Sequence, residues 1–316
     1  MQNRGMNNRK LRACLYVLIA SCLWGVIGIF VTELRAAGLT PMQIVAVRVT
    51  GTAVLYGLIL LATDRRSFRI RFRDCYLFVC TGVVSFVFFT WCYFSAMQAC
   101  AIGVAAIMMY TAPAIVALLS VWVFGERMTW LKAAAVAVTL AGCVLSSGAI
   151  GQKMPSFKGI LFGMGSGFGY ALYTIFSKLA LKKYGKNTAF FYTFLFASAA
   201  SIPLAGFDAQ SAALLLDGRT AFLSLFIAAL CCLLPYLLYE EALLTLEAGV
   251  AATLSMAEPV VAALTGIALY REPADPMKLL GLTMIVGAVL MLSLRQRRSE
   301  RRPPAQGAFK TEGTNR

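Results

Sequence analysis

Residues 249–269 read GVAATLSMAEPVVAALTGIAL, a run of 21 residues with a single charge, Glu258, and a single helix breaker, Pro259. A membrane-crossing helix needs about 20 predominantly apolar residues, so this run is long enough to span. At about 1.5 Å per residue, Glu258 lies roughly 13 Å into a hydrocarbon layer about 30 Å thick, near its midplane. An ionised carboxylate at that depth costs at least about 2.5 kcal/mol, so it requires a partner, a proton or water. Few helices that only fill space carry such a pair.

Earlier in the chain, residues 103–123 read GVAAIMMYTAPAIVALLSVWV. An offset of 146 places Gly103-Val104-Ala105-Ala106 on Gly249-Val250-Ala251-Ala252, Pro113 on Pro259, Ala117-Leu118 on Ala263-Leu264, Glu126 on Glu272 and Lys132 on Lys278. The same offset carries Trp24 to Tyr170, Ile29-Phe30 to Ile175-Phe176, Tyr93 to Tyr239 and Ala96 to Ala242. One constant shift across four pairs of apolar segments marks an internal duplication.

Composition sets the class. Hydrophobic residues make up 59% of the chain and charged residues 14%, against roughly a quarter charged in soluble domains. Ten apolar segments read as spans: Leu15–Val31, Ile44–Ala62, Tyr76–Ala96, Val104–Phe124, Trp130–Leu145, Gly159–Ala180, Ala189–Leu204, Ala221–Tyr239, Gly249–Leu269 and Met277–Leu294. The expected fold is an all-α integral membrane protein of ten transmembrane helices in two five-helix repeats, residues 1–148 and 157–295. The basic segment 296–316 is expected to be a disordered cytoplasmic tail. Five is odd, so the second repeat enters from the opposite face. Inverted repeats of this kind typify secondary transporters that rock one repeat against the other around a midplane site.

Charge placement gives the orientation. With the N-terminus inside, 22 of the 29 Lys and Arg residues fall on inside segments, six fall outside, and Arg48 is left within a span. That asymmetry is the positive-inside pattern, and it puts both termini in the cytoplasm of a plasma (cell inner) membrane. Topology thus accounts for most of the net charge of +15, and nucleic-acid binding loses its support. There is no histidine, and the nine cysteines contain no CxxC pair and lie mostly in apolar runs. Neither a catalytic centre, a metal site nor a cofactor is expected. A membrane-embedded enzyme would need a nucleophile with a base, or a metal cluster, at membrane depth.

Candidate site residues follow from the repeat and from its violations. Pro113 and Pro259 each lack an amide hydrogen, which frees the carbonyls of Met109 and Ser255 and makes two symmetry-related hinges. Glu258 falls on Ala112 and Arg48 on Phe194 under the offset, so the duplicated fold demands neither charge. Glu258 shares a helix face with Ser255, and its expected role is to bind a cation or carry a proton; Arg48 would hold a carboxylate or phosphate with its planar fork. Trp24, Tyr93, Tyr170, Tyr173 and Tyr239 are aromatics suited to gripping an amphipathic solute. Glu240, Glu241 and Lys178 read as solvated groups at cytoplasmic helix ends. Gly163, Gly165, Gly167 and Gly169 read as close-approach positions between helices.

The chain resembles the drug/metabolite transporter superfamily, and within it the EamA-like ten-helix branch. The resemblance rests on Trp24-Gly25, on Arg48, on Tyr93-Phe94-Ser95-Ala96-Met97 leading to Pro113 and Gly125-Glu126-Arg127, and on Tyr239 with Ala242-Leu243 leading to Glu258-Pro259 and Arg271-Glu272-Pro273. It covers about residues 11 to 295. Arg271 stands where the second copy often has glycine, which bears on the tight turn there. The resemblance implies transport, often efflux, of small metabolites such as amino acids and their derivatives; the permease is expected to be a monomer or homodimer, with protons as a coupling partner or with uncoupled facilitated movement as the alternative. Sugars, phosphates and drug-like solutes are alternatives, as is a membrane receptor or scaffold that transports nothing.

Overall fold

Short polar residues at the helix starts set where the chain enters its helices. Thr40 accepts the Gln43 amide at 3.3 Å while the Gln43 side chain accepts the Thr40 amide at 2.8 Å, a capping box placed just before Pro41. Thr129, Ser156 and Asp217 cap three further helices through the amide three residues on. The computed structural model describes residues 2–150 and 155–298, with side chains described from 9 to 150 and from 155 to 295. Among the described residues every regular element is helical.

We label the long helices α1 (Arg9–Ala36), α2 (Pro41–Thr63), α3 (Phe72–Ala99), α4 (Ile102–Phe124), α5 (Trp130–Ser146), α6 (Phe157–Lys183), α7 (Lys186–Ala205), α8 (Gly218–Leu243), α9 (Ala248–Tyr270) and α10 (Pro276–Arg298). Nine of them are long and apolar enough to cross a bilayer. The tenth, α5, has 17 residues, at the short limit for a span, and lies along α10. The last helix runs to Arg298, three residues into the stretch expected to be a tail. The rest of that stretch lies outside the described residues.

Packing follows the duplication. Pair α1–α8 has its mate in α6–α3, α1–α9 in α6–α4, and α2–α8 in α7–α3, while α2–α7, α4–α9 and α5–α10 each join a helix to its own repeat partner. Trp122, Leu118, Leu58 and Leu290 are exposed on the outside of this bundle. Such a belt is stable against hydrocarbon rather than water. The protein is therefore a multi-pass membrane protein of ten transmembrane helices in two inverted repeats.

Local irregularities repeat as well. Residues 80–87 of α3 and 229–233 of α8 form wide, π-type turns, and the offset of 146 lays 80–87 over 226–233. Helix α4 breaks at Tyr110–Thr111, just before Pro113, and α9 breaks at Ser255–Met256, just before Pro259. The freed-carbonyl expectation needs one correction: Ser255 O accepts the Glu258 amide at 3.0 Å, so the second break closes on itself as a tight turn.

The tight turn survives the loss of its glycine. Gly125 ends α4 at φ 67° and Arg271 ends α9 at φ 54°, both left-handed. In each, the next glutamate amide reaches back six residues, Glu126 N to Ser120 O and Glu272 N to Gly266 O, both at 3.2 Å. A left-handed residue with a Cβ costs about 1 kcal/mol that glycine does not. Arg271→Gly is expected to raise stability by about that amount, read as a higher melting temperature in detergent.

Glycine rows seat the neighbours of α6. A Cβ on Gly163 or Gly167 would run into Met108 of α4, and one on Gly165 or Gly169 into Cys92, Phe88 or Phe89 of α3. These are the close approaches expected from the spacing.

Candidate functional site

Two charges sit inside the bundle without partners. Arg48, on α2, lays its guanidinium 5.2 Å above the Phe86 ring, and its Nε is buried with no acceptor. Glu258 opens the second segment of α9 directly after the break. Among the described residues, no ion pair reaches either of them. Their charges still act on each other and on Tyr236 between them. Both side chains keep part of their surface open, as do Tyr93, Tyr110 and Tyr170, all of which feel the Glu258 charge. Half-buried Tyr93, Tyr110 and Tyr170, from α3, α4 and α6, are the aromatics that would wall a solute site beside Arg48 and Glu258.

The remaining expected residues divide between wall and frame. Trp24 is buried against Tyr236 at 4.9 Å and Tyr239 at 5.6 Å between ring centroids, and its Nε1 has no acceptor. Tyr239 is anchored to Thr174 at 2.9 Å, and Tyr173 donates to Glu240 Oε1 at 3.3 Å; both are fully packed and hold helices together. Ser255 bonds the Ala252 carbonyl at 2.8 Å and faces a small hollow of ≈ 10 Å³ that Pro113, Tyr170, Thr174 and Tyr239 also line. Most of the α6 stripe is packing: Ser166, Thr174 and Ser177 are buried, and only Tyr170 reaches open space. A second small hollow, also ≈ 10 Å³, lies beside Glu126 and Lys132, with no aromatic residue in its lining.

Two expectations are corrected. Glu240 is no solvated boundary group; it is 1% exposed, with Oε2 unpartnered, because α6 and α7 close over the end of α8. Its neighbour Glu241 does keep an open side chain, paired with Lys186 at 2.6 Å. Lys178 is not a free anchor but reaches Glu126 at 2.8 Å and the Leu246 carbonyl at 2.9 Å. The sequence reading also passed over Tyr236, whose ring meets Trp24, Phe86, Tyr173 and Phe194. The signal was present in PYLLYEE, where Tyr236, Tyr239 and Glu240 share a helix face at the spacing i, i+3, i+4.

A ten-helix bundle with inverted repeats and an unpaired acid and base at its centre fits a transporter. The family model for EamA-like transporters matches residues 11–148 and 157–294. The chain belongs to the EamA-like transporter family. Members of this family fall within the drug/metabolite transporter superfamily, and this EamA-like protein is a membrane transporter. It is 26% identical over 291 residues to the uncharacterized transporter YwfM of Bacillus subtilis (strain 168), covering 90% of this chain and 95% of that one. It is 29% identical over 201 residues to an uncharacterized transporter of Archaeoglobus fulgidus, covering 63% of this chain and 70% of that one. A solved structure, described only as the crystal structure of a protein, superposes with a TM-score of 0.77 at 18% identity over 91% of this chain and 98% of its own. That last likeness concerns the fold.

Proposed function

We propose that this EamA-like protein is a secondary transporter of small amphipathic zwitterions, amino acids or their close derivatives, acting as an exporter or exchanger by alternating access. The observation that carries the reading is an acid and a base inside the bundle, Glu258 and Arg48, that form no ion pair among the described residues, with Arg48 Nε buried and without an acceptor. Arg48 orients the solute carboxylate, Glu258 takes its ammonium group or a coupling proton, and Tyr93, Tyr110 and Tyr170 cover an apolar body. Proximity of the acid disfavours dianionic phosphates. Both termini are read as cytoplasmic in a cell inner membrane, from the 22 to six division of basic residues.

The decisive test is counterflow in proteoliposomes against amino acids, sugars, organic phosphates and cationic drugs. Accumulation of amino acids or their derivatives is expected, with Glu258→Gln changing rate or pH dependence. Accumulation of sugars or phosphates alone would overturn the substrate class, and accumulation of nothing by folded protein would favour a receptor or scaffold.

A further inference from the structure

The two faces of the bundle are built from the same parts but are not in the same state. On one face, Ala112–Phe124 of α4 packs against Ala248–Leu254 of α9. The repeat turns that pair into Ala257–Tyr270 of α9 and Ile102–Met109 of α4 on the other face, where no comparable packing joins them. The pairing is made on one face and its mate is not made on the other.

Glu126 holds the face on which the pairing is made. Its Oε1 accepts the Ala248 amide at 2.8 Å and Lys178 Nζ at 2.8 Å, and its Oε2 accepts the Gly249 amide at 3.4 Å. The end of α4 is thereby tied to the start of α9 and to α6. Lys132 adds a bridge from α5 to Glu247 on the same face. Burial alone would raise the Glu126 pKa, but the Lys178 hydrogen bond and the two amides outweigh it and hold the carboxyl below its ordinary range, so it is ionised at neutral pH. Glu272, its repeat mate, is exposed, and among the described residues its carboxylate accepts from Lys278 at 2.7 Å, the mate of Lys132. The offset assigns to Glu272 the amides of Ile102 and Gly103, at the start of α4, as counterparts of those of Ala248 and Gly249.

The structure assigns Glu126 and Glu272 as a symmetry-related pair of positioning residues for transport, each tying its own turn to the start of the opposite repeat's broken helix, one face at a time. In the state described here Glu126 is engaged and Glu272 is released. In the opposite state Glu272 accepts the Ile102 and Gly103 amides and Glu126 lets Ala248 and Gly249 go. The second tie is the weaker, because the offset takes Lys178 to Thr32 and so gives Glu272 no matching lysine. This inference rests on the alternating-access reading.

Hydrogen exchange followed by mass spectrometry, on the full chain in nanodiscs, tests it at peptides 100–106 and 246–252. Glu126→Gln removes a charge-assisted acceptor, so exchange at 246–252 is expected to rise about tenfold while exchange at 100–106 falls. Glu272→Gln is expected to do the reverse, with a smaller change. Glu272 is exposed here, so its variant folds even if the Glu126 variant does not. If Glu126→Gln alters 246–252 alone and Glu272→Gln alters neither peptide, Glu126 is a static cap and the inference is overturned. Reciprocal exchange in a protein that moves no solute in counterflow would instead overturn the transport reading and leave the paired ties standing.

Discussion

Arg48→Met is expected to lower kcat/KM for counterflow about a hundredfold while leaving the melting temperature unchanged or higher. The two effects have one cause. Among the described residues the guanidinium has no ion-pair partner and leaves its Nε unsatisfied, so the fold gains little from it beyond its contact with the Phe86 ring. Removing an uncompensated charge at membrane depth is neutral or stabilising. For a solute carboxylate the same group supplies charge-assisted hydrogen bonds worth together about 3 kcal/mol, which corresponds to roughly two powers of ten in rate. Arg48→Lys keeps the charge and loses the fork, so an intermediate loss is expected. A variant that melts earlier while transporting normally per folded molecule would show that Arg48 serves packing instead.

What the sequence made legible was what repetition encodes. The offset of 146 located the helix breaks before Pro113 and Pro259, because these are backbone features that both copies need; the left-handed turn at Arg271 was not legible, since the glycine that marks it at Gly125 is absent there. Arg48 and Glu258 stood out because they violate the same repeat. Burial at helix ends was not legible. Glu240 lies three residues from the end of α8, a position that is solvated on an isolated helix, and only the packing of α6 and α7 encloses it. The tie from Glu126 to Lys178 and Ala248 joins residues more than 50 positions apart, beyond the reach of any local pattern. Tyr173 was read with the cavity aromatics because helical spacing puts it on one side of α6 with Tyr170, and Tyr239 because it is the repeat mate of Tyr93; burial against neighbouring helices, which neither pattern gives, makes both of them frame.

Gly167→Ala is expected to cost about 3 kcal/mol of stability and to reduce transport by the remaining folded protein, whereas Gly28→Ala is expected to do neither. Helix propensity alone predicts the opposite, since alanine is favoured over glycine by about 1 kcal/mol in a helix interior. At Gly28 nothing lies within 4 Å of an added methyl, so propensity has its way and stability stays level or rises. At Gly167 the methyl would lie 2.5 Å from the Met108 carbonyl oxygen and 2.6 Å from Thr111 Oγ1, and the first of these is backbone that no rotamer change can move. The contact falls on the break of α4, between Met109 and Pro113, so relieving it means pushing the hinge of one repeat away from α6 of the other. Overpacking then outweighs propensity, and its cost lands on the segment proposed to hinge during transport. Thermal melting separates the two substitutions by sign, and counterflow per folded molecule separates a hinge effect from simple destabilisation. Equal melting temperatures for both variants would mean that α4 slides off α6 without penalty, and the close approach at Gly167 would then have no part in positioning the hinge.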